Sequence, residues 1–308
     1  MDIAFRKKAE EFISCLPYKQ SPYGNRNWGH SWHSLSSYHG KLKPAIAHWL
    51  ISEFTSEGDV VLDPLCGVGT IPFEACLQGR IGVGNDLSEL AYVVTKAKLE
   101  KPNCCGVEDV IRQLDEYIEK NKSSRSVTEY EDFGFNGKLP QYFEGETYKE
   151  ILCARDFFLK KLPAVSVEEA LVFSVFLHVL HGNRPYALSR RSHPLTPYAP
   201  TGDYEYKSVI DKIVQKVNAS YAKLEQTKIT QGKAVFGDYR DLAKTGIKAD
   251  FIICSPPFAD SIRFYMQNWM RLWLCGWEPE DYKDADEKFL DKSQEKNFDL
   301  YYSFFEMC

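Results

Sequence analysis

The chain has 308 residues, of which 44% are hydrophobic and 26% charged, with a net charge of −5. This length suits one α/β domain with an insertion, and the negative charge excludes a polybasic protein that coats nucleic acid. The nine cysteines form no C-x-x-C pair, which argues against a zinc site and a disulfide framework, so we expect no metal and a reducing environment. An apolar stretch long enough to cross a bilayer and the apolar core of a signal peptide are both missing, which predicts a cytoplasmic protein without a membrane partner.

The N-terminal part of the chain is predicted to contain two helices joined by an aromatic loop. The pattern indicates helices at about 3–15 and 44–54, the second beginning at Pro44. The intervening residues 21–37 are rich in tyrosine, tryptophan and histidine. Two interpretations are open: a lid that packs on the core, or a segment that closes over a ligand or contacts nucleic acid by stacking.

A strand, a glycine turn and a helix follow. Residues 59–63 read as a buried strand, residues 64–70 contain Gly67 and Gly69, and residues 71–78 are helix-like. Glycines let a backbone approach a ligand closely, and the amides at a helix start favour polar or anionic groups. This unit is therefore a candidate ligand site.

The next strand, at residues 81–85, is followed directly by Asp86. In nucleotide-binding βαβ units, a carboxylate at this place accepts hydrogen bonds from ribose hydroxyls, and the spacing from the glycine turn agrees. A complete G-x-G-x-x-G is absent. An adenosyl ligand without a pyrophosphate therefore fits better than a dinucleotide, which favours S-adenosylmethionine over NAD.

The middle of the chain reads as an inserted, mainly helical module. We expect helices at about 87–98, 107–120, 148–162, 167–181 and 206–224, with a polar loop at 122–138. Residues 182–194 form a non-periodic loop with cations and hydroxyls, the composition that phosphate contacts require. Its candidate contacts are Arg184, Arg190, Arg191 and His193. Pairing of these arginines with acidic helices of the same chain is the open alternative.

A second polar motif follows the apolar residues 250–253, which read as a buried strand. It consists of Ser255, Pro256, Pro257 and Phe258. The prolines end the strand, the Ser255 hydroxyl and nearby carbonyls can accept hydrogen bonds from an amino group, and Phe258 offers a stacking face. The motif suits one flat ring that carries an exocyclic amine.

Residues 63–70 (Asp-Pro-Leu-Cys-Gly-Val-Gly-Thr) together with residues 255–258 resemble the motif pair of amino-group DNA methyltransferases. Residues 38–44 and 237–242 resemble two further family elements, one before the cofactor loop and one at the adenine. The resemblance implies binding of S-adenosylmethionine and double-stranded DNA, with Ser255, Pro256, Pro257 and Phe258 as catalytic residues that hold a flipped base. The cofactor-binding residues implied by the motifs are Tyr38, Asp63, Pro64, Cys66, Gly67, Gly69, Thr70, Asp86, Leu87, Asp238 and Tyr239.

The first residue of the catalytic motif bears on the target atom. By resemblance, family members with serine there mostly methylate cytosine N4, whereas aspartate or asparagine accompanies adenine N6. Ser255 therefore favours cytosine N4, with adenine N6 as the alternative. An RNA methyltransferase that acts on guanine amines is a further rival.

The resemblance implies a Rossmann-like α/β sheet of S-adenosylmethionine-dependent methyltransferases with an inserted helical module. We expect residues 1–100 to form the first part of the core, 101–228 the candidate recognition module, and 229–308 the continuation with the catalytic motif. We expect an amphipathic helix at about 261–274 after this motif. Family members carry at least three more strands after that helix. The sheet is thus expected to be incomplete: either the chain is one part of a split methyltransferase that a second polypeptide or a homodimer completes, or it is a truncated version. A non-catalytic subunit that binds cofactor and DNA is the alternative function.

Overall fold

The computed structural model describes most of the chain and gives it a parallel sheet. The described residues are 3–25, 28–224, 227–256, 264–283, 285, 302 and 304–306. The strands are β1 (Val60–Asp63), β2 (Ile81–Asp86), β3 (Lys233–Phe236) and β4 (Phe251–Ile252). They are ordered β3-β2-β1-β4, and each adjacent pair is parallel. The α/β class predicted from the sequence is therefore confirmed.

Ten α-helices lie within the described residues. They are α1 (Ile3–Cys15), α2 (Pro44–Phe54), α3 (Thr70–Leu77), α4 (Glu89–Leu99), α5 (Cys104–Asn121), α6 (Gly145–Leu159), α7 (Val167–Val179), α8 (Val209–Leu224), α9 (Phe264–Gln267) and α10 (Trp269–Leu274). Among these helices, none combines the length and the apolar composition that crossing a bilayer requires.

The two faces of the sheet are covered differently. Helices α2 and α3 pack on one face, where Ile51 and Ile71 meet Val61 in one buried cluster. Helix α4 lies on the same side, since a Cβ on Gly84 would contact both α3 and α4. On the opposite face, Leu62 belongs to a cluster that includes segment 239–245 and residue 304, as far as the described residues reach. Among the described residues, more helices cover the α3–α4 side of the sheet than the opposite side.

Helices α5–α8 continue the core of the sheet domain. Helix α7 packs against α4, α5 and α8, and α10 also reaches α4. The rings of Phe158 and Phe173 stack with centroids 4.4 Å apart, and Trp269 and Trp273 are fully buried in the same cluster. The predicted inserted module therefore shares its hydrophobic core with α4. The domain boundaries at 100 and 228 stay predictions.

Several predicted boundaries are wrong by a few residues. The strand expected at 250–253 has only two ladder residues, although the Ile253 amide still donates to the Leu62 carbonyl (3.0 Å). The helix expected at 261–274 is interrupted at Asn268 in its described part, and residues 257–263 lie outside the described ranges. Segment 21–37 contains a 3₁₀ helix, Ser31–Ser34, that is held because the Trp32 indole donates to the Ser220 carbonyl at 3.0 Å. That segment packs on the core.

A buried carboxylate fastens the same segment to α3. His33 Nε2 lies 2.8 Å from Glu74 Oε2, and His48 Nδ1 lies 2.8 Å from Glu74 Oε1. Burial raises the pKa of Glu74, but the two histidine hydrogen bonds outweigh it and hold the pKa below its ordinary value. Burial lowers the pKa of His33 to about 4 despite its bond to Glu74. Because His33 Nδ1 has no hydrogen-bond partner among the described residues, the neutral ring donates through Nε2 alone.

This geometry predicts a loss of stability in mild acid. Unfolded His33 takes up a proton below its ordinary pKa of 6.5, whereas folded His33 stays neutral until about pH 4. The contribution of neutral His33 to the free energy of unfolding is therefore complete above pH 6.5 and declines as the pH falls towards 4. From pH 7 to pH 5, a range above the ordinary pKa of 4.5 of Glu74, the free energy of unfolding measured with urea should fall by about 2 kcal/mol more for the wild type than for His33→Gln. An equal pH dependence of the two proteins would contradict the buried neutral histidine.

Candidate functional site

The candidate site lies along the carboxyl ends of the strands. Asp63 ends β1, Asp86 ends β2, Asp238 follows β3 and Ser255 follows β4. Since all strands are parallel, these ends share one edge of the sheet. The chain leaves β1 towards β2 on one side and later returns to β4 on the other. In open α/β sheets, ligands bind in the crevice at such a reversal of strand order.

The turn of residues 66–69, here called the glycine loop, is tied to the end of β2. Its Gly67 amide donates to Asp86 Oδ2 at 2.8 Å, while the Ser88 amide donates to Asp86 Oδ1 at 2.9 Å. Burial raises the pKa of Asp86 to about 6, against the backbone hydrogen bonds that favour the carboxylate. The Leu87 amide also bonds to this carboxylate, which leaves one of its four lone pairs for a ligand hydroxyl. The half-buried Asp86 therefore suits the role predicted for it.

Asn85 joins three strand ends and was not singled out from the sequence. Its side-chain amide donates to the Pro64 carbonyl at 3.1 Å and to the Gly237 carbonyl at 3.0 Å. The Gly237 amide in turn donates to the Asp86 carbonyl at 3.0 Å. The sequence signal that could have identified Asn85 is its polar side chain directly before Asp86, in a strand whose earlier residues are all apolar. Asn85 fixes the loops after β1 and β3 relative to each other.

Asp63 is buried between the two motif loops. Its side chain accepts from the Leu65 amide at 3.2 Å and is hydrogen-bonded to the Cys254 thiol. Burial raises the pKa of Asp63 to about 7, and the nearby Asp86 charge adds to the shift. Asp63 thus contacts the residue directly before Ser255 and links the end of β1 to the predicted catalytic motif.

Tyr38 lies over the glycine loop. A Cβ placed on Gly67 would come 3.4 Å from the Tyr38 ring, and Phe264 packs against that ring with centroids 5.2 Å apart. Cys66 and Thr70 are buried, so they contribute packing and backbone groups. The glycine loop is therefore bordered by an aromatic wall.

The remaining predicted cofactor residues differ in their surroundings. Both Asp238 oxygens accept from the Arg240 guanidinium, at 2.9 Å and 2.5 Å. Tyr239 is buried and packs edge-on against Phe304 on the less covered face of the sheet. Leu87 is 48% exposed beside Asp86. Of these three, Leu87 and Asp238 lie at the strand-end edge, whereas the Tyr239 ring belongs to the core.

The described part of the catalytic motif is accessible. Ser255 and Pro256 are half-buried directly after β4. Pro257 and Phe258 lie outside the described residues. Across the described ranges, no three or more His, Cys, Asp and Glu side chains are grouped so that they could hold a metal ion.

Loop 182–194 presents cations at the surface. Arg184, Arg191 and His193 are exposed. Arg190 is partly engaged, because its guanidinium donates to the Gly202 and Gln141 carbonyls and lies 4.2 Å from the ring centroid of Tyr204. Within the described chain, no Asp or Glu forms an ion pair with these arginines. The alternative of pairing with acidic helices is therefore not what the described contacts show.

The same loop approaches the segment that carries Tyr38. His178 Nδ1 lies 3.4 Å from Ser37 Oγ, and His178 Nε2 lies 3.0 Å from the Tyr186 hydroxyl. Burial, followed by the charge of His193, lowers the pKa of His39. Loop 182–194, here called the cationic loop, thus lies near both neighbours of Tyr38: its Tyr186 is connected to Ser37 through His178 of α7, and its His193 acts on His39.

The residues present fit S-adenosylmethionine. Gly67 and Gly69 have φ values of +51° and +68° and carry no side chain, and the side chains of Cys66 and Val68 are buried, so a ligand can approach the loop backbone. Gly69 precedes α3 without a capping side chain, so the first amides of that helix keep their capacity for polar ligand groups. Asp86 supplies acceptors for ribose hydroxyls, and Tyr38 supplies an apolar wall.

Comparison with known proteins supports a methyltransferase. Residues 33–126 match the family model described as "RMKL-like, methyltransferase domain". That range includes Tyr38, the glycine loop and Asp86. The parallel sheet and this match together give the chain the predicted Rossmann-like methyltransferase fold.

One curated relative is similar at low identity. The chain is 21% identical over 155 residues to the type II methyltransferase M.MjaII of Methanocaldococcus jannaschii. The alignment covers 40% of this chain and 29% of that protein. The chain therefore spans less than a third of the length of this relative.

The close packing of the glycine loop on α4 predicts that an added methyl group destabilises the protein more at Gly69 than at Gly58. A Cβ on Gly69 would lie 2.7 Å from Thr95 Oγ1, whereas a Cβ on Gly58 would meet no atom within 4 Å. Both residues have positive φ values, so both alanine variants bear the left-handed backbone cost of about 1–2 kcal/mol. Urea unfolding should show that Gly69→Ala loses about 1–3 kcal/mol more than Gly58→Ala because of overpacking. Equal losses would contradict the close contact with Thr95.

Proposed function

We propose that this protein is a DNA methyltransferase that transfers a methyl group from S-adenosylmethionine to the exocyclic amino group of a flipped base, with cytosine N4 as the target atom. The observation that carries the proposal is the meeting of the glycine loop, Asp86 and the Ser255 segment at one edge of a parallel sheet. The methyltransferase family match supports the chemistry. Similarity to a type II methyltransferase is consistent with DNA modification.

The cofactor would be held by the ends of β1 and β2. Asp86, with a pKa of about 6, is mainly ionised at neutral pH and would accept from the ribose hydroxyls. The glycine loop and Asp63 would contact the amino-acid end. S-adenosylmethionine supplies an electrophilic methyl group when bound.

Ser255 would prepare the amine for reaction. The lone pair of an exocyclic amine is delocalised into the base, so it must be localised before the nitrogen can form a bond to carbon. The Ser255 hydroxyl and the carbonyl of Ser255 or Pro256 would accept the two N–H groups and strengthen these bonds in the transition state. The amine nitrogen would donate the electron pair of the new N–C bond while the S–CH3 bond breaks and its electron pair goes to sulfur, so that S-adenosylhomocysteine is the leaving group. One amine proton would then leave to solvent. Phe258 would stack on the flipped base.

The cationic loop would bind the DNA backbone. Arg184 and Arg191 are exposed and form no ion pair with an acid of the described chain. Phosphate contacts of such side chains position a protein on DNA without reading sequence. His178 of α7 bonds both to Tyr186 of this loop and to Ser37 beside Tyr38, so DNA bound at the loop would lie near the glycine loop.

A second candidate is a cofactor-binding and DNA-binding subunit that becomes active with a partner. It is favoured by one observation: β4 has two residues and, within the described ranges, pairs with β1 alone. The strand that precedes Ser255 would gain a neighbour from a second polypeptide or a second copy of the chain. A partner strand would steady the catalytic motif.

Methyl transfer tests the proposal directly. The purified chain is incubated with tritiated S-adenosylmethionine and unmethylated duplex DNA, and the product is digested to nucleosides. We expect label in N4-methylcytosine, and we expect Ser255→Ala to lower kcat about 10²-fold with cofactor binding retained. Ser56→Ala, which changes an exposed serine before the opposite end of β1, is the matched control and should keep full activity.

The other outcomes separate the alternatives. Label in N6-methyladenine would move the target to adenine. If a parallel reaction with RNA gives label and the reaction with DNA gives none, DNA is refuted as the substrate. Binding of both ligands without transfer would favour the subunit. Arg191→Gln should raise the KM for DNA several-fold at unchanged kcat, because it removes one phosphate contact. The exposed Arg6→Gln on α1 should change neither constant.

A further inference from the structure

Two polar side chains of α4 are buried against the glycine loop. Thr95 is 0% exposed and Lys98 is 2% exposed. The two residues are three positions apart, so they lie on one face of the helix. Their neighbours in α4 that are buried are mostly apolar, and no role for either residue follows from the sequence motifs.

Both side chains donate to successive carbonyls of the loop. Thr95 Oγ1 donates to the Gly67 carbonyl at 3.0 Å, and Lys98 Nζ donates to the Val68 carbonyl at 2.5 Å. In a planar trans peptide, the C=O and N–H groups point in opposite directions. The Val68 amide therefore points away from α4. The next amide, that of Gly69, donates to the Cys66 carbonyl at 2.9 Å and closes the turn.

This arrangement needs close packing and carries an energetic cost. A Cβ on Gly69 or on Gly84 would lie within 3.0 Å of Thr95 atoms. Burial, and then the charge of Lys41, holds the pKa of Lys98 well below its ordinary value. A methionine would fill a similar volume without desolvating an amine. The cost of the amine is offset by satisfying the Val68 carbonyl, which would otherwise be buried without a donor.

We infer that Thr95 and Lys98 are positioning residues that hold the carbonyls of the glycine loop inward and so aim the Val68 amide at the amino-acid end of S-adenosylmethionine. The inference rests on the proposed function. Thr95 orients the peptide that bears the ligand-facing amide. Lys98 fixes the following peptide, whose amide shapes the turn.

The test compares two ligands that differ in the amino-acid end. The Kd of S-adenosylhomocysteine is measured by calorimetry, and that of adenosine by competition, for the wild type, Thr95→Val, Thr95→Ser and Lys98→Met. Thr95→Val and Lys98→Met should raise the Kd of S-adenosylhomocysteine about tenfold and that of adenosine less than about twofold. Thr95→Ser keeps the hydroxyl and should bind both ligands like the wild type. Circular dichroism at the temperature of measurement verifies that each variant is folded.

The possible failures are distinguishable. If Thr95→Val weakens both ligands equally, the residue is only structural, and the inference is wrong. Wild-type affinity of Thr95→Val for S-adenosylhomocysteine would also overturn it. If the wild type binds neither ligand, the proposed function itself fails. If Lys98→Met does not fold, the comparison of Thr95→Val, which lacks the hydroxyl, with Thr95→Ser, which keeps it, still decides the outcome.

Discussion

Close approach of α3 and α4 to β2 is the constraint on which the site depends. A Cβ on Gly82 would lie 1.9 Å from the Pro72 carbonyl oxygen, and one on Gly84 would lie within about 3 Å of Cys66, Pro72 and Thr95. Only glycine permits helices to pack at these distances from a strand. Because the helices lie so close, the loop between β1 and α3 reaches both Asp86 and α4. The geometry of the site therefore depends on how closely α3 and α4 pack against β2.

Polar groups inside this packing are arranged as acceptor and donor pairs. Asn85 links the loops after β1 and β3, and Thr95 and Lys98 hold the carbonyls of the glycine loop. Glu74 holds segment 21–37 through His33 and helix α2 through His48. A buried polar group is costly unless it is hydrogen-bonded, and a satisfied network favours one arrangement over its alternatives. The loop geometry thus comes from side chains behind the loop as well as from its glycines.

Local patterns predicted the strand ends well, because acid and glycine positions follow directly from where an apolar run stops. Asp63, Gly67 and Asp86 could be placed from the sequence, and the structure brings them to one edge. Thr95 and Glu74 could not, since a polar residue on a buried helix face has no local signature and its partner lies far along the chain. The engagement of Asp238 by Arg240 depends on side-chain geometry two residues apart, which periodicity does not encode. Helix boundaries moved where tertiary packing outweighed local preference.

Binding of S-adenosylmethionine tests the central claim most directly. Calorimetry on the wild type should show one site, and Asp86→Ala should raise the Kd at least about tenfold, because it removes the ribose acceptor and the partner of the Gly67 amide. Asp109→Ala, which changes an exposed acid of α5 paired with Arg112, should bind like the wild type. Absence of binding by the wild type, or equal affinity of the wild type and Asp86→Ala, would contradict a cofactor site at the ends of β1 and β2.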